Sequence, residues 1–215
     1  MFKRDSSNAI KADTCEMVVL LHGFAASSLV MLPLKWRLSR AGYRAHIWSY
    51  STLRQSIAYH AYRLRKYLST LEEAGRPYHI VAHSMGSIVS RVALLEGEHK
   101  GLQRVVFLAP PNRGLPIARW GARYFKGWSP PLEEIADLPE SYVNLLPRTL
   151  QFPVGVIAAK QDMLIPIANT RLDGNESYIA LNATHNSLLI SSGVAKQIES
   201  FLRTGRFMNV QEWDA

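Results

Sequence analysis

Short uninterrupted apolar runs alternate along this chain with longer stretches in which apolar residues recur every third or fourth position. The first run is Met17-Val18-Val19-Leu20-Leu21, ending at His22-Gly23. Such a run reads as a strand buried on both faces. Arg44–Tyr50, Tyr78–Ala82, Arg104–Ala109, Val154–Ala159 and Ser177–Leu181 are the other predicted strands. Helices are predicted between them. The first is capped by Ser27 or Ser28, has Pro33 in its first turn, and carries Leu29, Leu32, Trp36 and Leu38. The second spans Leu53 to Ala74, with Leu53, Ile57, Ala61, Leu64, Leu68 and Leu71 on one face, and stops at Gly75. A third follows Ser84, with Met85, Ile88, Val89, Val92 and Leu95 on one face. The last runs from Asn186 to Leu202, with Gly205 just beyond it. Strand and helix in alternation predict an α/β fold, a parallel sheet covered on both faces.

Residues 110–150 interrupt that rhythm. They hold seven of the eleven prolines, together with Trp120, Tyr124, Phe125 and Trp128. We read them as a cap-like or lid-like insertion of short helices within a single domain spanning 1–215. Trp120, Tyr124 and Trp128 are candidates to line a substrate pocket. The alternative is that these aromatics form the insertion's own small core.

Composition narrows the classes. At 215 residues, 47% hydrophobic and 20% charged, the chain suits one globular domain. Residues 1–15 lack the apolar stretch of a secretory signal, and no apolar run reaches membrane-spanning length. Cys15 is the only cysteine, so an intrachain disulfide and a Cys-rich metal site are excluded. A cytoplasmic location is the expectation. The net charge is +8, spread without any run of five basic residues. It reads first as a solvated basic face, next as weak contact with an anionic membrane surface or an acidic substrate. Nucleic acid is not expected as a partner, because no recognition motif accompanies the charge. No metal-ligand cluster or phosphate loop appears, so neither a metal nor a cofactor is expected.

The candidate chemistry centres on Ala82-His83-Ser84-Met85-Gly86. A strand, then small-x-Ser-x-small, then a helix describes a sharp turn that lifts the serine above a sheet. The flanking positions must be small because strand and helix backbones pass close there. Such a five-residue pattern arises readily by chance, so its placement between an apolar run and an amphipathic helix carries the weight. His22-Gly23-Phe24 follows the first strand, where acyl transfer needs an N–H donor for the oxyanion. The backbone N–H groups of Phe24 and Met85 are the expected pair. A serine hydroxyl also needs a base. His185, in Asn182-Ala183-Thr184-His185-Asn186, sits past the last strand at the same sheet edge as Ser84. Asp162, just past the fifth strand, is placed to orient it. Asp173 is the rival acid, but Leu172-Asp173-Gly174-Asn175 reads as a plain turn. Arg113 has two readings, a contact to an acidic group or a hydrogen bond that holds its loop.

The stretches LLHGFAAS, VAHSMGS, LAPPNRG, KQDMLIP and NATHNSL resemble the α/β-hydrolase superfamily, more narrowly its small bacterial lipases and esterases. The order Ser84, Asp162, His185 is that of this superfamily. Pro111-Asn112-Arg113-Gly114 is similar to a stretch in relatives of the GPI-inositol deacylases. The resemblance covers residues 17–203, with Ala82 where the usual motif has Gly. It implies a reduced α/β-hydrolase fold of about six mainly parallel strands, because residues 1–16 leave no room for two preceding antiparallel strands. It also implies cleavage of a small-molecule or lipid carboxylic ester through an acyl-enzyme. A thioesterase or acyl-protein hydrolase would use the same residues. A non-catalytic relative that binds a ligand is the alternative of another class.

Overall fold

The computed structural model describes residues 15–120, 129–174 and 176–209. Six strands form one sheet in the order β2-β1-β3-β4-β5-β6: β1 Met17–Leu21, β2 Arg44–Ile47, β3 Tyr78–His83, β4 Leu102–Leu108, β5 Val154–Ala159 and β6 Glu176–Leu181. Every pairing is parallel. The sequence signals for strands were therefore sound in number and direction.

Alternate residues of each strand enter two separate cores, as a period of two requires. Val19, Leu21, Ile80, Ala82, Val105 and Phe107 face one core. Val18, Leu20, Val81, Val106, Leu108 and Ile157 face the other. The first core is closed by α2 (Ile57–Glu73) and α3 (Met85–Leu94). The second is closed by α1 (Leu32–Arg40) and the C-terminal α6 (Ser192–Thr204). Each fully buried Val, Leu or Ile contributes about 1.5–3 kcal/mol relative to exposure, so the two layers dominate stability. Among the described residues, no helix is long and apolar enough to cross a membrane.

Beyond shifts of one or two residues at β4 and β6, four elements differ from the sequence expectation. The second strand ends at Ile47 rather than Tyr50. Trp48 and Tyr50 instead turn into the core and pack on each other, with ring centroids 5.1 Å apart. The helix expected from Leu53 starts at Ile57. Ser56 caps it by accepting from Tyr59 N at 3.1 Å, and Glu134 takes the free Ile57 N–H at 2.6 Å, so Leu53 lies outside and exposed. The helix expected from Asn186 is two elements. A tight turn at Ser187–Leu189 ends near Ile190, and Ser191 caps α6 by accepting from Val194 N at 3.3 Å. The first helix likewise begins as a tight turn, Ser28–Met31, before α1. Its buried residues are Met31, Leu34 and Leu38, while Leu29, Leu32 and Trp36 face outward.

The chain between β4 and β5 holds α4 (Pro130–Glu134) and α5 (Tyr142–Leu145). Fully buried Arg91 of α3 anchors this segment. It donates to Asn112 Oδ1 at 3.0 Å and to the Pro147 carbonyl at 2.9 Å. Asn112 in turn donates to the Thr170 carbonyl at 2.7 Å.

Candidate active site

The register aligns the carboxyl ends of the central strands, with Leu21 beside Ala82 and His83 beside Leu108. Ligands of open parallel sheets sit beyond that edge. Ser84 is there, between β3 and α3, with φ 53° and ψ −127°. A non-glycine residue in that region stores about 1–3 kcal/mol of strain, which the surroundings must hold. They do so through the sheet: Ser84 N–H donates to the Leu108 carbonyl at 2.9 Å. Ser84 occupies the N-cap position of α3, yet its side chain makes no capping hydrogen bond.

The turn after β1 presses against this serine. A Cβ on Gly23 would lie 2.8 Å from Ser84 Cβ, and one on Gly86 would lie 2.6 Å from the His22 carbonyl oxygen. Both positions therefore exclude a side chain. The turn is fastened from behind by the chain after β2. Tyr50 Oη donates to the His22 carbonyl at 2.6 Å, and Ala25 N–H donates to Thr52 Oγ1 at 3.0 Å. His22 stacks on Tyr50 at 4.6 Å, and His60 meets Tyr50 in an edge contact at 4.8 Å. Burial lowers the pKa of His22, and lowers that of His60 to about 4. The N–H groups of Phe24 and Met85 engage no acceptor among the described residues.

Asp162 and His185 meet past β5 and β6. His185 Nδ1 lies 2.6 Å from Asp162 Oδ2. The other carboxylate oxygen accepts Leu164 N–H at 2.8 Å and Ile165 N–H at 2.9 Å. The Asp162 side chain is only 2% exposed. Burial pushes its carboxyl up, but the His185 hydrogen bond and the two N–H donors outweigh that and hold it below the ordinary value. The rival acid Asp173 pairs instead with Arg113 at 2.9 Å, and Arg113 N–H donates to the Asn169 carbonyl. Arg113 thus has a loop-holding role here. His83 packs on the His185 ring at 4.6 Å, with Nε2 3.1 Å from the His185 carbonyl oxygen. Complete burial, with charge from His185 second, lowers its pKa to about 3, so it is neutral at ordinary pH.

Ser84 and His185 line one cavity of about 950 Å³, with Phe24 on its wall. Leu29, Val30, Leu115, Ile117, Leu132 and Ile190 supply much of the rest. No Lys, Arg, Asp or Glu lines it among the described residues. Sequence reasoning missed these apolar walls. Leu29 and Ile190 fall inside the stretches expected as the first and last helices, and the local hint at Ile190 is the capping Ser191 that follows it. Trp120 is exposed and outside the lining. Tyr124, Phe125 and Trp128 lie outside the described residues. Among the described residues, no group of three or more His, Cys, Asp or Glu side chains is placed to hold a metal ion.

The model of the alpha/beta hydrolase family matches residues 18–191. No curated protein matches the chain. Several solved structures share its fold. Mature lipase BlEst2 of Bacillus licheniformis is 17% identical with a TM-score of 0.69, over 90% of this chain and 93% of that one. A lipase-esterase related protein of Clostridium acetobutylicum is 15% identical with a TM-score of 0.66, over 89% and 95%. Phospholipase PlaB of Legionella pneumophila in complex with thio-NAD is 14% identical with a TM-score of 0.72, over 89% of this chain but 59% of its own length.

Proposed function

Because this chain belongs to the alpha/beta hydrolase family, we propose that it is a serine hydrolase that cleaves carboxylic esters by way of an acyl-enzyme on Ser84. One observation carries the reading above the others. A buried aspartate grips Nδ1 of His185 at 2.6 Å, and that histidine shares a cavity with a serine held at φ 53°.

In this reading Asp162 fixes the tautomer of His185 that leaves Nε2 free to take a proton. Ser84 Oγ attacks the ester carbonyl carbon while its proton passes to His185 Nε2. The carbonyl oxygen becomes an oxyanion, which the N–H groups of Phe24 and Met85 stabilise. Collapse of the tetrahedral species expels the alcohol, protonated by His185. Water, deprotonated by the same imidazole, then attacks the acyl carbon and releases the acid. Asp162 stays ionised throughout and stabilises the imidazolium. The named lipases and the phospholipase among the structural neighbours support a lipid or other apolar ester as substrate. So does an apolar cavity near the upper end of the usual volume range for small-molecule sites. The residues between β4 and β5 act as its cap, since Leu115, Ile117 and Leu132 wall it.

The same machinery would cleave a thioester. The absence of charged lining among the described residues favours a neutral substrate over one carrying phosphates into the cavity. The test is hydrolysis of p-nitrophenyl esters from acetate to palmitate, with acyl-CoA substrates in parallel, by wild type and Ser84→Ala. Wild type is expected to turn over esters and Ser84→Ala to fall to the buffer rate. Equal rates for the two proteins on every substrate would leave a non-catalytic binding protein as the better reading.

A further inference from the structure

Leu29, Leu32 and Trp36 follow the three- and four-residue spacing that usually marks a buried helical face. Here they are 47–65% exposed, and the opposite set is buried. The outward apolar strip does not stop there. Leu29 lines the mouth of the Ser84 cavity with Ile190, Ile117 and Leu164, all of them exposed. Met163, next to Leu164, is 98% exposed. A continuous apolar rim of this kind marks an interaction surface rather than chance exposure.

Charge identifies the partner. Residues 24–41 and 183–198 build this side of the molecule, and neither stretch contains an Asp or Glu. They do contain Lys35, Arg37, Arg40 and Lys196. A groove of about 410 Å³ between α1 and α6 gathers Trp36, Arg37, Arg40 and Lys196 beside Glu199. Glu199 is already paired with Arg203 at 2.9 Å. Arg37, Arg40 and Lys196 make no ion pair among the described residues, and the two guanidinium groups lie over the Trp36 ring at 5.9 and 5.0 Å. The face therefore combines exposed Leu and Ile, an exposed tryptophan and three cations free of ion pairs, with Glu199 as the one carboxylate in the groove among the described residues and already held by Arg203. Acyl chains suit the first, the headgroup level suits the second, and lipid phosphates suit the third. A second copy of this chain would bring the same cations against themselves in a two-fold pairing.

We propose that the Leu29–Leu32–Trp36 face, with Ile190, Arg37, Arg40 and Lys196, docks the cavity mouth onto the surface of an anionic phospholipid bilayer. An apolar ester then passes from the bilayer into the cavity across Leu29 and Ile190 without crossing water. That purpose rests on the ester-hydrolase reading, whereas docking itself is measurable without catalysis.

The test uses full-length Ser84→Ala, which leaves lipid intact, and sedimentation with vesicles. One set is pure phosphatidylcholine and the other is phosphatidylcholine and phosphatidylglycerol in equal parts. The proposal expects binding to the anionic set, weakened by high salt, and about tenfold or more weaker after Arg37→Glu with Arg40→Glu and Lys196→Glu. Trp36→Ala is expected to weaken it too. None of these positions lines the cavity, so each change in the active background should leave hydrolysis of a water-soluble p-nitrophenyl ester unaltered. Binding that follows this charge pattern supports docking even if no form hydrolyses any ester, in which case only the enzymatic reading fails. No vesicle binding, equal binding to both sets, or wild-type binding by the charge-reversed variant overturns the proposal. A concentration-dependent dimer lost in Trp36→Ala would also overturn it, by assigning the face to a second copy.

Discussion

Gly86→Ala should damage the reaction more than the fold, and the size of each effect follows from one contact. A Cβ at residue 86 would sit 2.6 Å from the His22 carbonyl oxygen, 3.0 Å from Leu21 Cβ and 3.2 Å from the Leu21 carbonyl oxygen. Relief to ordinary contact needs a shift of at least about 0.8 Å, and close-packed interiors do not yield by that much without strain. Backbone atoms cannot rotate away as a side-chain tip would. The His22 carbonyl is also held by Tyr50 Oη at 2.6 Å, so the strain spreads into the turn that carries Phe24. Overpacking of this kind costs about 1–3 kcal/mol, which denaturant unfolding would read as a lower midpoint at unchanged slope. Displacing one oxyanion donor lowers kcat by about 100-fold or more. Because that donor acts only in the transition state, KM should change by no more than roughly threefold. Gly97→Ala is the control. Gly97 has φ 90° but open space around it, so the substitution strains the backbone without touching the site. It should cost about 1–2 kcal/mol and leave kcat unchanged. A folded Gly86→Ala protein with kcat within roughly threefold of wild type would refute the assignment of the His22–Phe24 turn to oxyanion binding.

Asp162→Asn should preserve the fold and lower kcat by about 10³–10⁴-fold, because an amide at that place favours the wrong tautomer of His185; a pH–rate profile with wild-type kcat would count against it. Stability should fall as pH drops below 6.5, because an unfolded histidine binds a proton that buried His60, lowered to about 4, and His83, lowered to about 3, do not. Each contribution is fully present above the unfolded pKa and is lost as pH falls towards the folded one. His60→Phe should therefore lose less stability than wild type between those limits, by up to about 3 kcal/mol, in urea titrations repeated across pH. Arg91→Ala should cost about 3–5 kcal/mol, since it leaves a cavity and strips buried Asn112 Oδ1 and the Pro147 carbonyl of their donor; a loss under 1 kcal/mol would show the segment between β4 and β5 to be anchored elsewhere.

β1 and β5 were legible because burial on both faces writes an uninterrupted apolar run directly into the sequence, whereas the edge strands β2 and β6 carry polar residues and only partial burial. The turns around Ser84 were legible for a different reason. Gly86 and Gly23 stand where any side chain would collide, so sterics leave a trace in residue identity. What stayed hidden depended on distance in space. Nothing near Tyr50 announces that its hydroxyl reaches back to His22, 28 residues earlier. Nothing in the serine motif announces that His83 packs on His185, 102 residues away. The outward turn of Leu29, Leu32 and Trp36 was not legible, because helical spacing reports that residues share a face, not which way it points. The start of α2 was misplaced because Leu53 continues the apolar rhythm, and only the Ser56 cap and the Glu134 contact decide the boundary.

The central claim is that Ser84 is a nucleophile activated by His185 and Asp162. The most direct measurement is intact-protein and peptide mass after exposure to a p-nitrophenyl phosphonate. One phosphonyl adduct per chain on the peptide containing Ser84, absent in Ser84→Ala and much slower to form in His185→Ala, is the result expected. No adduct, or an adduct on another residue that forms equally fast in both variants, would contradict it.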